Sequence, residues 1–94
     1  MLFYQLTVAR KQQSPVQPAS GEAKVMLRVD SDVETETSSA VRYLEKRGWE
    51  VTGVRHAQMA EAIDEFAPDR GLVALYQRAE REGIACIIPA SESV

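Results

Sequence analysis

Apolar and polar positions alternate from Lys24 to Val29, with Val25, Leu27 and Val29 on one side and Lys24, Met26 and Arg28 on the other. This two-residue period is what a pleated strand with one buried face requires. A second alternating run, Leu2 to Ala9, places Leu2, Tyr4, Leu6 and Val8 on one face and Phe3, Gln5 and Thr7 on the other, and predicts an earlier strand. Between the two runs the pattern dissolves. Pro15 and Pro18 stand among Gln, Ser and Gly, a composition that suits neither a helix interior nor a central strand. Residues 10–23 therefore read as a flexible loop, and the two strands as a hairpin across it. The connection is longer than the roughly two to five residues of a tight hairpin.

The period then lengthens. Val33, Thr37, Ala40, Val41 and Leu44 recur at three- and four-residue intervals and share one helical face, while Glu34, Ser38, Arg42, Glu45 and Lys46 fall elsewhere. Ser31 and Glu34 have the spacing of a capping box, worth about 1 kcal/mol. Gly48 is placed to end the helix in a left-handed conformation, with Trp49 covering Leu44. Trp49, Val51 and Val54 predict a third strand. Val51 and Val54 differ in parity, so both reach one face only if the strand bulges near Gly53. Met59, Ile63 and Phe66 suggest a short helix ended by Pro68. Asp69 then caps a longer one, striped by Leu72, Leu75, Tyr76 and Ala79 and stopped at Gly83. The apolar run from Ile84 to Ile88 reads as a strand covered on both faces or paired centrally. Pro89 closes it, and the tail at residues 90–94 is expected to fray.

These elements predict a single α+β domain over residues 1–94. The expected form is a two-layer sandwich: a four-stranded mixed sheet with two main helices on one face, in the order ββαβαβ. It is similar to ferredoxin-like folds without their usual order of elements. With 94 residues, 45% of them apolar and 27% charged, the composition is that of an ordinary globular protein. The net charge of −3 argues against general nucleic-acid binding, which needs a basic surface to displace counterions from phosphates. No stretch approaches the roughly 20 apolar residues of a membrane span, and no secretory leader pattern opens the chain, so a cytoplasmic home is expected.

Candidate chemistry is sparse. The segment Val25 to Thr35, VMLRVDSDVET, resembles the first motif of haloacid dehalogenase-like hydrolases, in which a strand delivers two aspartates one residue apart, here Asp30 and Asp32. That resemblance implies a nucleophile and an acid/base. Glu34, however, stands where that family has Thr or Val, and a chain of this size has no room for its remaining fold and magnesium ligands. Helix capping accounts for the same carboxylates. One histidine, His56, and one cysteine, Cys86, give neither a zinc-ligand spacing nor an internal disulfide. Cys86 lies within an apolar run, where a thiol is usually inert. Neither catalysis nor a cofactor or metal is expected.

The remaining signal is the sheet face opposite the helices. On the two-layer arrangement it presents Phe3, Gln5, Thr7, Met26, Arg28 and Thr52, a mixture of apolar and polar groups suited to contact with another chain. The expectation is a non-enzymatic interaction or homodimerisation module, its partner a second copy or another protein, acting through that face or an exposed edge strand. The alternative is a small-ligand sensor or minor enzyme, with Arg28 pairing an anion and His56 titrating.

Overall fold

The computed structural model describes residues 1–10, 20–29 and 32–88. Strand β1 (Leu2–Arg10) and strand β2 (Ser20–Leu27) form an antiparallel hairpin with Leu2 opposite Leu27 and Ala9 opposite Ser20. Strand β2 thus begins before the alternating stretch, so Arg10 and residues 20–23 of the loop expected over 10–23 belong to strands, and residues 11–19 lie outside the described residues. Helix α1 (Thr37–Glu45) follows, then strand β3 (Trp49–Met59), a 3-10 turn (Ile63–Phe66), helix α2 (Arg70–Glu82) and strand β4 (Ile84–Ile87).

The four strands form one antiparallel sheet in the order β3-β1-β2-β4. This overturns the mixed, ferredoxin-like ββαβαβ sandwich with both helices on one face. Strands β3 and β4 stand at opposite edges and run antiparallel, so the handedness rule for parallel crossovers does not govern α2. Side-chain apolarity places it instead. One core gathers Leu2, Tyr4, Leu6, Val8, Val25 and Leu27 of the sheet with Ala40 and Leu44 of α1, and is closed by Trp49. The other gathers Phe3, Met26 and Ala85 from the opposite side of the strands with Phe66 and with Leu75, Tyr76 and Ala79 of α2. The result is three layers, α1, sheet and α2.

Helix α1 begins later than its stripe predicts. Residues 33–36 form turns, and Asp32 holds them by accepting from the Thr35 amide at 2.7 Å and the Thr35 hydroxyl at 2.9 Å. These bonds favour the ionised carboxylate and lower its pKa. Ser31 of the expected capping box lies outside the described residues. At the other end Gly48 has φ 87°, and Trp49 is buried in the cluster that holds Leu44. The α2 signals match the structure closely: Asp69 accepts from the Leu72 amide at 3.1 Å, and the Gly83 amide donates to the Ala79 carbonyl at 2.7 Å.

Strand β3 runs further than expected, through Met59, and carries two register shifts against β1. One falls between the Thr7 and Val8 pairings, which brings Val51 opposite Val8 and Val54 opposite Leu6 on one face, as their parity demanded. Met59, assigned from sequence to a short helix, belongs to this strand and is exposed; only Ile63–Phe66 turns helically.

Candidate functional site

The sheet face expected to be bare is covered at one end. Phe3 is 4% and Met26 0% exposed, because the 3-10 turn and α2 cover them; the Phe3 ring meets Phe66 edge-on at 5.2 Å. A partner cannot reach either side chain. The other end of that face is polar and internally bonded. Gln5 donates to Glu22, the Thr52 hydroxyl donates to the Thr7 carbonyl at 3.2 Å, and Arg55 lies 3.5 Å from Glu22. The hydrogen-bonding groups of Gln5, Thr7 and Thr52 are thus engaged within the chain.

Arg28 and His56 are not brought together. Arg28 follows the end of β2, beyond the Leu2–Leu27 pair, whereas His56 lies opposite Gln5 on the far side of β1; strand rise and spacing separate their backbones by roughly 15 Å. His56 is exposed, hydrogen-bonds Gln58 and stacks obliquely on Phe3 at 6.2 Å. Asp30 lies outside the described residues, and Asp32 is engaged by Thr35. Among the described residues no cluster of histidine, cysteine or carboxylate side chains is arranged to hold a metal ion.

A different site forms at the β4 edge. Strand β4 pairs with β2 on one side, and among the described residues no strand pairs with the other. Backbone geometry shows which groups face outward. The Arg28 amide donates to the Gly83 carbonyl at 2.9 Å, so Gly83 points toward β2. Alternation along the strand then turns Ala85 and Ile87 inward and Ile84 and Cys86 outward. The Arg78 guanidinium donates to the Cys86 carbonyl at 3.0 Å, as an outward carbonyl permits. The apolar run predicted a strand covered on both faces or paired centrally. It is covered on both faces, Cys86 packing with the α1 core and Ala85 with the α2 core, yet it sits at the edge.

Around this edge lies an open groove of about 610 Å³, lined by Tyr43 and Arg47 of α1, Arg78, Arg81 and Glu82 of α2, and Cys86, Ile87 and Ile88. Three arginines against one glutamate make it basic on a chain whose net charge is −3. The Arg47 guanidinium lies over the Tyr43 ring, 3.6 Å from its centroid, and donates to the Tyr43 carbonyl at 3.3 Å, which preorganises it. Arg78 and Arg81 are three residues apart on α2 and share a helical face. Burial raises the Cys86 thiol above its ordinary pKa; Arg47 and a hydrogen bond from Tyr43 pull it down less strongly. The thiol therefore stays protonated, and the groove offers guanidinium donors rather than a nucleophile.

Sequence reading missed this site because its arginines are distant in the chain. Arg47 and Arg81 stand in the runs Glu45-Lys46-Arg47 and Glu80-Arg81-Glu82, which read as solvated helix faces. Only the strand order, with β4 at an edge, carries them to one place.

The geometry defines a small antiparallel α+β domain with one helix on each sheet face and a basic groove along one edge. No family model, characterised protein or solved structure matches the chain.

Proposed function

We propose that this chain is a non-enzymatic, cytoplasmic protein-interaction module that docks an extended segment of a partner along the outer side of β4. The observation that carries the reading is an edge strand with outward-facing backbone groups at Ile84 and Cys86, set in a groove between two helices. An added strand would take backbone hydrogen bonds from β4 and lay its side chains in the flanking groove. Dimerisation through the sheet face loses its support, since the apolar side chains meant to drive it are spent on the core beneath α2. No helix among the described residues is long and apolar enough to cross a membrane.

The test is a random nonapeptide library selected against the full chain, with the binders titrated into isotope-labelled protein. Amide shifts should concentrate at Ile84–Ile87, on Tyr43 and Arg47, and on Arg78 to Glu82. Binders that shift only β3 or the polar end of the sheet, or a selection that yields none, would rule the reading out.

A further inference from the structure

We infer that the segment docked on β4 is acidic, with carboxylates on successive residues. This rests on the β4 edge being the docking site and adds the chemistry of its occupant. An extended strand points consecutive side chains to opposite sheet faces. At this edge the two faces carry separate arginines: Arg47, held on Tyr43, on the α1 side, and Arg78 with Arg81 on the α2 side. A strand laid against Ile84 and Cys86 with a single carboxylate meets cations on one face only. Two adjacent carboxylates meet cations on both, and guanidinium groups bind carboxylates in a bidentate fork.

Charge also selects against the other natural occupant of a bare edge, a second copy of the chain. Pairing β4 with β4 of a second copy about a two-fold axis brings the same arginine groups toward one another, and like charges placed together disfavour association. Arg78 has a second part to play. In the free chain its guanidinium fills the Cys86 carbonyl that an added strand would use, 3.0 Å away, and it lies 3.7 Å from Glu82. An incoming carboxylate supplies the guanidinium with a new partner as an incoming amide takes over the carbonyl, so an acidic strand displaces Arg78 from the edge more readily than a neutral one does.

Three nonapeptides of valine and threonine test this on the full chain: one with two adjacent pairs of glutamates, one with glutamines and one with lysines in their place. Binding is followed by amide shifts and titration at low and high salt. The glutamate peptide should bind at β4, weakening with added salt, with the glutamine peptide about tenfold weaker and the lysine peptide weaker still. Arg47→Glu and Arg81→Glu should each weaken the glutamate peptide by about tenfold, and Glu82→Gln should tighten it. The Glu82 variant guards against loss of binding through misfolding, because its expected effect is a gain. Equal binding of glutamate and glutamine peptides at β4 would overturn the acidic assignment and leave edge docking standing. Failure of all three peptides, or shifts confined to β3, would overturn both. A chain that sediments as a dimer paired through β4, and that the glutamate peptide does not displace, would overturn the acidic segment in favour of self-pairing.

Discussion

The two edges of this sheet handle the same hazard in opposite ways. A sheet edge exposes unpaired backbone groups that can template further strands. Strand β3 is the longer edge, eleven residues, and it is irregular: two register shifts break its ladder with β1, and Glu50, Thr52, Arg55 and His56 are exposed along it. Strand β4 has four residues, pairs in unbroken register with β2 and carries apolar side chains on both faces. One edge is closed by distortion and charge. The other keeps its register with β2, and among the described residues the Arg78 guanidinium reaches its outer side, at the Cys86 carbonyl.

The largest effect should come from placing a charge on each edge in turn. Ala85 is 1% exposed between β4 and α2, so Ala85→Glu buries an unpaired carboxylate and should cost about 3 kcal/mol or more in urea unfolding. Val54 on β3 is 49% exposed, and Val54→Glu should change stability by no more than about 0.5 kcal/mol. Equal losses would mean that β4 is not held between two cores.

The β3 distortion can be attacked directly. A Cβ built on Gly53 would meet the Thr7 hydroxyl oxygen at 3.0 Å, and that oxygen lies 3.1 Å from the Thr52 hydroxyl. Gly53→Val should therefore cost about 1–2 kcal/mol by crowding. In a Thr7→Ala background the same substitution should cost clearly less, a coupling that a double-mutant cycle measures. Additive losses would show that the bulge, and not the Thr7 contact, is what demands glycine.

Much of this architecture is legible in the residues themselves. The alternation of Leu2 to Ala9 and Lys24 to Val29, the stop at Gly48 and the cap at Asp69 are local signals, and the β1–β2 ladder, the positive φ of Gly48 and the bond from the Leu72 amide to Asp69 answer them. The third layer was also written in the chain, in Phe3 and Met26 on the nominally polar sides of their strands and in the two-sided apolarity of Ile84 to Ile88. Those residues place α2 on the second face only once β3 and β4 are known to be antiparallel and at opposite edges, where no parallel crossover fixes the helix's side. The start of β2 was hidden because Ser20, Gly21 and Glu22 carry no strand signature and gain their place only by pairing with Thr7 to Ala9. The basic groove was not legible at all, since it depends on which strand ends at which edge.

A smaller effect is expected from the cap of the helix that covers β4. Asp69→Ala removes the acceptor for the Leu72 amide and should cost about 1 kcal/mol. Hydrogen exchange should quicken in the first turn of α2 and at Ala85 while β3 amides keep their rates, because α2 packs on β4 and not on β3. Uniform acceleration across both edges would show that the sheet opens as one unit.

The subtlest difference lies in the chemistry of Cys86, whose carbonyl faces the outer side of β4. Burial raises its pKa above the ordinary 9.0, so the folded chain holds the thiol proton more tightly than the unfolded chain does. The sign follows from linkage: this group's contribution to stability is intact below pH 9.0 and is lost as pH rises through the higher folded value. Alkylation by iodoacetamide at pH 8 should be slower than for a free cysteine, and its rate should still be climbing at alkaline pH where the free thiol has levelled. Arg47→Gln should slow it further, since that guanidinium favours the thiolate. A rate matching free cysteine across this range would mean that the thiol stands open to solvent and not packed against the α1 core.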